Sequence, residues 1–202
     1  MSLDFIEGLP KSMGYEVILV VVDRLTKYAH FVLVSHPYNA AKIASLYMQH
    51  VFKLHGMPTS IVSDRDATFT SLFWSELFRL QGTDLVMSSA YHPRSDGQTK
   101  IVNKCLEQYL RAFTSDRPHQ WATWLPLVEY WFNTSFHTSL KLSPFEALYG
   151  FPASKLQAYI PSTTRLDALD SLLCQRQVVL DTLKTHLVAA QARMKFQADK
   201  HR

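Results

Sequence analysis

Residues 15–23, YEVILVVVD, indicate the fold class of this 202-residue chain. Their centre, Val17–Val22, is an unbroken apolar run rich in Val and Ile, which is typical of a strand buried on both faces. Two β-prone segments flank it, Leu3–Ile6 before it and residues 28–34 after it, and turn-like segments separate the three. The sequence therefore predicts an antiparallel meander of three strands.

Helical and strand patterns alternate after the meander. A helix is predicted over Asn39–Leu54, where Gly56 and Pro58 end it, and a second over Thr70–Leu80. Short strands are predicted at Ser60–Ser63 and Asp84–Ser88. Three strands followed by such an alternation predict an α/β fold with a five-stranded mixed sheet flanked by helices.

The second half of the chain is mostly helical in pattern. After a predicted loop at Ala90–Gln98, helices are expected over Gln98–Phe113 and, interrupted by Pro126, over His119–Phe136. A short helix begins near Ser143 and ends at Gly150, a linker follows at residues 156–164, and a helical extension runs from Leu166 to about Lys200.

Composition narrows the classes of protein. Hydrophobic residues make up 47% of the chain and charged residues 19%, so a packed core is expected. A net charge of +4 permits a nucleic-acid partner without requiring one. Cys105 and Cys174 form no ligand pattern, which favours a reducing compartment. No apolar run approaches the roughly 20 residues of a membrane span, and no signal peptide is recognisable.

Two aspartates stand at strands that the predicted sheet brings together. Asp4 lies in the first strand and Asp64 ends the fourth. Neighbouring carboxylates repel each other unless a cation lies between them, and Mg²⁺ is held in this way together with phosphate oxygens. The alternative is that Asp4 is a surface residue and that Asp64 only caps a turn.

Four long blocks of sequence decide between these interpretations. Together they closely resemble the integrase catalytic core of gypsy-type LTR retrotransposons, especially those of plants. The blocks are SLDFIEGLPKSMGYEVILVVVDRLTKYAHF (2–31), GMPTSIVSDRDATFTSLFW (56–74), SSAYHPRSDGQTKIVNKCLEQYLR (88–111) and WATWLPLVEYWFNTSFHTSLKLSPFEALYG (121–150).

The resemblance implies an RNase H-like fold and a polynucleotidyl transferase that needs Mg²⁺ or Mn²⁺. Such enzymes trim the ends of the element's DNA and join the 3′ hydroxyls to target DNA. The family's metal ligands are two aspartates and a glutamate, with 35 residues between the second aspartate and the glutamate. Asp4 and Asp64 match the two aspartates.

The third position of this motif is occupied by a lysine. Counting 36 residues from Asp64 leads to Lys100, and Asn103, Lys104 and Glu107 follow in the family's frame. A lysine has three donors and no acceptor, so we expect weak metal binding and little or no catalysis. Glu107 lies about 10 Å further along the helix, and a turn at Gly97 is expected to direct Asp96 elsewhere.

Further residues are expected at a nucleic-acid surface. Gln98, Asn103, Lys104 and Arg111 match the family's DNA-facing segment, where basic side chains would contact phosphates. The alternative for each is a solvated helix face. The tryptophans are interpreted as core residues, and the histidines at 30, 36, 50 and 55 show no metal-ligand pattern.

The resemblance also predicts the organisation and setting of the chain. Residues 1–150 would be the catalytic core, with the edge of its first strand clipped, and 151–202 a linker and long helix leading to a missing C-terminal domain. A zinc module would precede the core in a longer polyprotein. The expected partner is DNA, both the element ends and the target. We also expect a homodimer or higher oligomer and a nuclear location. A non-catalytic nucleic-acid-binding or protein-interaction module and an RNase H-like nuclease are the alternatives.

Overall fold

The computed structural model describes residues 1–87, 93–114, 118–154 and 157–200. Side chains at 93–98, 112–113, 179, 183 and 186–200 lie outside this description. Within the described ranges, no helix combines the length and the apolar composition needed to cross a bilayer.

A five-stranded mixed sheet forms the centre of the molecule, as predicted. The strands are β1 (Ser2–Ile6), β2 (Val17–Val22), β3 (Ala29–Val34), β4 (Ser60–Ser63) and β5 (Asp84–Met87). Their spatial order is β3-β2-β1-β4-β5. The β1–β2 and β2–β3 pairs are antiparallel, whereas β1–β4 and β4–β5 are parallel.

Seven α-helices surround or extend the sheet within the described ranges. They are α1 (Ala40–Tyr47), α2 (Lys53–His55), α3 (Leu72–Leu80), α4 (Pro93–Phe113), α5 (Trp121–Thr134), α6 (Pro144–Tyr149) and α7 (Asp167–Lys200). A π-helical turn, Met48–Phe52, joins α1 to α2, and a 3₁₀ turn, Pro118–Gln120, precedes α5. α7 is the predicted C-terminal helix, whereas the proposed domain boundary at residue 150 stays a prediction.

The sheet has a separate hydrophobic core on each face. Because side chains alternate along a strand, Leu19 of β2 packs with Tyr47 and Trp74 on the face covered by α1 and α3. The neighbouring residue Val20 packs with Leu106 of α4 and other apolar residues of α4 and α5 on the opposite face. All six residues of β2 are buried, which explains the unbroken apolar run at residues 17–22.

Three local expectations were wrong. Helix α4 begins at Pro93, so the predicted loop at 90–98 is helical from residue 93 onward and includes Gly97. Proline is tolerated at the start of a helix because the missing N–H has no partner there in any case. The part of that loop at 90–92, like Ser88 of the fifth strand, lies outside the described residues.

Pro126 does not interrupt α5, which corresponds to the helix predicted over His119–Phe136. α5 runs through it from Trp121 to Thr134, and burial of Leu125 and Val128 offsets the backbone hydrogen bond that proline cannot donate. The third wrong expectation concerns Leu54, whose helical spacing from Tyr47 and Val51 predicts a buried side chain but which is 57% exposed. The π-helical turn adds one residue to the repeat and so rotates the following side chains by about 100°.

Side chains of α5 cover the outer edge of strand β3. Asn133 accepts a hydrogen bond from the Ala29 amide and donates one to the Ala29 carbonyl, both at 2.8 Å. Glu129 accepts another from the Phe31 amide at 2.8 Å. An edge strand otherwise exposes unpaired backbone groups, so these contacts seal part of the edge and fix α5 against it.

Candidate functional site

The parallel pairing of β1 and β4 brings the two predicted aspartates together. Ser2 pairs with Val62 and Leu3 with Ser63, so the next step of the register sets Asp4 beside Asp64. Neighbouring strands lie about 4.8 Å apart, which is close enough for two carboxylates to share a cation. Both side chains are half-buried, and the sheet therefore supplies the acidic pair that the strand pattern predicted.

The Asp4 carboxylate is held by two hydrogen bonds. Its Oδ1 accepts from the Phe5 amide at 2.9 Å, and its Oδ2 accepts from the Asn103 side-chain amide, also at 2.9 Å. Asn103 belongs to α4, which packs against both β1 and β4. This contact joins residues 99 positions apart and orients the first aspartate.

Asp64 begins a short hydrogen-bonded turn. Its Oδ1 accepts from the Asp66 amide at 3.0 Å, and Asp66 Oδ1 accepts from the Thr68 amide at 2.8 Å. The interpretation of Asp64 as a residue that caps a turn is thus confirmed. This role does not exclude that Asp64 also binds a cation together with Asp4. One carboxylate oxygen caps the turn, and the second oxygen is not used by this turn.

Lys100 lies on the helix that covers this pair. It is exposed and precedes Asn103 by three residues, so both are on one side of α4. The preceding residue, Thr99, is 1% exposed, and its hydroxyl has no hydrogen-bond partner among the described residues. The side-chain oxygen of Asn103 is likewise buried and unbonded within that part of the chain. The site thus contains two polar atoms with unused bonding capacity next to the acidic pair.

The donor set at this site does not fit the two-metal centre that the resemblance implies. The described residues contain no group of three or more His, Cys, Asp and Glu side chains that could hold a metal ion. Asp4 and Asp64 supply oxygens, but Lys100 supplies an ammonium group that only donates.

Glu107 does not replace the missing carboxylate. Glu107 is seven residues beyond Lys100 in α4, about 10 Å along the axis, and lies 4.0 Å from Arg111 instead. The expected turn at Gly97 is wrong, since Asp96 and Gly97 both belong to α4. Asp96 therefore precedes Lys100 by one helical turn, although its side chain lies outside the described residues.

The residues predicted for DNA contact are divided between two locations. Asn103 faces Asp4, whereas Lys104 and Arg111 are exposed on α4. The side chain of Gln98 lies outside the described residues.

Burial raises the pKa of the Cys105 thiol on the same helix, so this cysteine is protonated at neutral pH and is no candidate nucleophile.

Two features of the site were missed in the sequence. Asn103 was assigned to DNA alone, although its spacing of three from Lys100 places both on one helical face. Thr99 was also missed, although the helical pattern of Val102, Leu106 and Leu110 sets it on the buried side of α4.

Away from this site, His30 is buried and hydrogen-bonded to both Glu129 and His55, although it shows no metal-ligand pattern in the sequence.

Known proteins resemble the chain in sequence. The Tf2-3, Tf2-4 and Tf2-5 transposon polyproteins of Schizosaccharomyces pombe are each 32% identical to it over 195 residues. The match covers 96% of this chain and 14% of each polyprotein, so the chain spans about a seventh of the length of these relatives. No protein-family profile matches it.

Solved structures resemble it in fold. A simian T-cell lymphotropic virus intasome bound to the PP2A regulatory subunit B56 gamma contains a chain that aligns with a TM-score of 0.64 and 16% identity, covering 82% of this chain and 59% of that one. The HTLV-2 integrase catalytic core domain in complex with magnesium aligns with a TM-score of 0.58 and 15% identity, covering 72% and 93%. The BIV integrase core gives 0.57 and 18%, covering 72% and 90%.

These similarities agree with the architecture of the sheet and its flanking helices. The chain is a homologue of one part of the Tf2 retrotransposon polyproteins, and it has the RNase H-like fold of the retroviral integrase catalytic core.

Proposed function

We propose that this chain is the catalytic core of a gypsy-type retrotransposon integrase in which Lys100 has abolished metal-dependent catalysis. By descent it is a polynucleotidyl transferase for 3′-end processing and strand transfer. The observation that carries the proposal is the parallel register of Leu3 with Ser63, which leads directly to Asp4 and Asp64, together with the packing of the helix that bears Lys100 against β1 and β4. Asn103, three residues from Lys100, donates a hydrogen bond to Asp4 and so links the helix to the first aspartate.

The loss of catalysis follows from the charges of the three side chains. Asp4 and Asp64 together carry two negative charges, and a protonated lysine beside them is favoured by both. A divalent cation entering this site must displace that ammonium group, and it gains no third carboxylate when it does. We therefore expect the chain to bind Mg²⁺ or Mn²⁺ poorly, and we assign no catalytic step to it.

DNA remains the proposed partner. Lys104 and Arg111 are exposed on the helix next to the acidic pair, where they would contact phosphates regardless of base sequence. Such binding weakens as salt concentration rises because phosphate contacts release counterions. We further propose that the chain forms a homodimer or higher oligomer, that it comes from a plant-type element and that it acts in the nucleus.

A non-catalytic nucleic-acid-binding module is the second candidate function. Lys100 favours it, because an exposed lysine reduces the negative charge that the acidic pair presents to a phosphate backbone. In this version the fold is retained for DNA contact or for association with other proteins, and restoring the carboxylate would not restore chemistry.

A DNA-joining assay tests the leading proposal. The native chain, Lys100→Glu and the control Lys104→Glu would be incubated with labelled element-end DNA, target DNA and Mn²⁺ or Mg²⁺. Lys104→Glu changes the charge equally on an exposed position of the same helix. We expect joined products with Lys100→Glu only. Products from the native chain would contradict the proposed loss of catalysis, and their absence from all three proteins would favour the non-catalytic module.

A further inference from the structure

Away from the acidic pair, a short chain of hydrogen bonds links strand β3 to helices α5 and α2. His30 of strand β3 is 8% exposed, and its Nδ1 lies 3.1 Å from Glu129 Oε1 of α5. On the other side of the ring, His30 Nε2 lies 2.9 Å from His55 Nε2, at the end of α2. The same Glu129 carboxylate accepts a hydrogen bond from the Phe31 amide. Three elements therefore meet at one histidine.

The separation of the two ring nitrogens limits how many protons the pair can hold. A distance of 2.9 Å is that of a hydrogen bond, which needs one N–H and one lone pair between the rings. With both histidines neutral, His30 donates through Nδ1 to Glu129 and accepts at Nε2 from His55. One added proton is tolerated, because a charged His30 can donate to both partners. A second added proton would direct two N–H groups at each other.

We propose that His30 and His55 form a pH-sensitive junction that shares one proton between the rings and separates α2 from β3 when both rings are charged. The junction lies at different residues from the acidic pair, so it does not depend on the proposed function. Its role is to couple proton concentration to the packing of the β3 edge.

The surrounding groups determine where the junction titrates. Burial lowers the pKa of His55, the charge of His30 lowers it further, and Asp23 opposes both with a smaller effect. Burial and the charge of Lys53 likewise lower the pKa of His50, which Glu129 partly opposes. The other titratable or charged groups that face the junction are Tyr28, Tyr149 and the Met1 amino group.

Tyr28 stays neutral through the relevant range, because burial raises its pKa far above neutrality. The Met1 amine has a pKa lowered by burial, which Asp23 opposes. Since His55 has a lowered pKa in the folded chain, the unfolded chain binds its proton first as pH falls. Stability is therefore complete above the ordinary histidine value of about 6.5 and declines as pH falls below it.

The consequence reaches a groove along the β3 edge. This groove, about 710 Å³ in volume, lies between α1 and α5, and its wall includes His50, Glu129 and Asn133. Glu129 belongs both to the groove wall and to the junction, so a change of charge at His30 acts on a residue of this wall.

Histidine NMR on the intact chain tests the proposal directly. We expect the ring signals of the pair to change in two separate steps rather than one, because the shared hydrogen bond opposes the second proton, with a shift of the Phe31 amide during the second step. Independent single titrations of both rings near pH 6.5, with no change at Phe31, would overturn the shared proton.

A variant pair gives a second readout through stability. His55→Gln keeps a group that can donate or accept but cannot titrate, and His119→Gln is the control at an exposed histidine. Between pH 7 and pH 5 the folding equilibrium constant of the native chain and of His119→Gln should fall by up to about tenfold more per pH unit than that of His55→Gln. Equal pH dependence in all three would overturn the proposal, as would strong stabilisation of the native chain by Zn²⁺, which would make the pair a metal site.

Discussion

Replacing Asn133 by alanine should destabilise the chain strongly, because this side chain satisfies two buried backbone groups. Asn133 is 2% exposed and bonds both the amide and the carbonyl of Ala29 at 2.8 Å. Alanine reaches neither group. Each buried backbone group left without a partner costs about 1–3 kcal/mol, so the expected loss for the two groups is roughly 2–6 kcal/mol.

Urea denaturation measures this loss as a lower midpoint at an unchanged slope. Thr134→Ala is the matched control, because Thr134 is the next residue and only bonds back to the Tyr130 carbonyl of its own helix. We expect the control to lose less than about 1 kcal/mol. A loss of similar size in both variants would refute the idea that α5 satisfies the outer edge of β3.

Three further predictions concern a helix cap, a pH effect and the acidic site. Ser143→Ala should cost about 1 kcal/mol in urea denaturation, since it removes one half of a complete capping box with Glu146. Burial raises the pKa of Asp23, but hydrogen bonds from Thr26 and Leu25 and the charge of the Met1 amine together lower it below its usual value. Thr26→Val should therefore destabilise the chain at pH 6, and the difference from the native chain should shrink as pH falls below the usual aspartate pKa of about 3.9; a difference independent of pH would contradict this. In a Lys100→Glu background, Asn103→Ala should weaken Mg²⁺ binding about tenfold by calorimetry, because Asn103 orients Asp4; unchanged affinity would show that this contact is irrelevant to the site.

Local signals in the sequence were sufficient for most of the fold. The apolar run at Val17–Val22 identified a strand with two buried faces. Gly56 and Gly150 lie at the ends of α2 and α6 with φ values of 71° and 79°, which suit glycine. These signals work because burial pattern and backbone conformation at a helix end depend on neighbouring residues.

Features that depend on long-range packing were not predictable in this way. Asn133 meets Ala29 across 104 positions, and Glu129 meets His30 across 99. Nothing near either residue in the sequence indicates its partner. The π-helical turn that exposes Leu54 is also absent from the periodic pattern, which assumes a constant repeat.

At the candidate site, too, some features were predictable from the sequence and others required the structure. Asp4 and Asp64 were expected together because both stand on strands that the predicted sheet makes neighbours, and the register agrees. The position of Lys100 came from the family's spacing rather than from local chemistry. The contact of Asn103 with Asp4 needed the structure, because a side chain on one helical face can reach either DNA or the sheet.

Calorimetric titration with Mg²⁺ and Mn²⁺ tests the central claim most directly. It compares the native chain with Lys100→Glu, and Lys104→Glu serves as the control for the change in charge. We predict metal binding by Lys100→Glu and none by the native chain or by the control. Equal binding by the native chain and by Lys100→Glu would contradict the assignment of Lys100 to the third position of the acidic site.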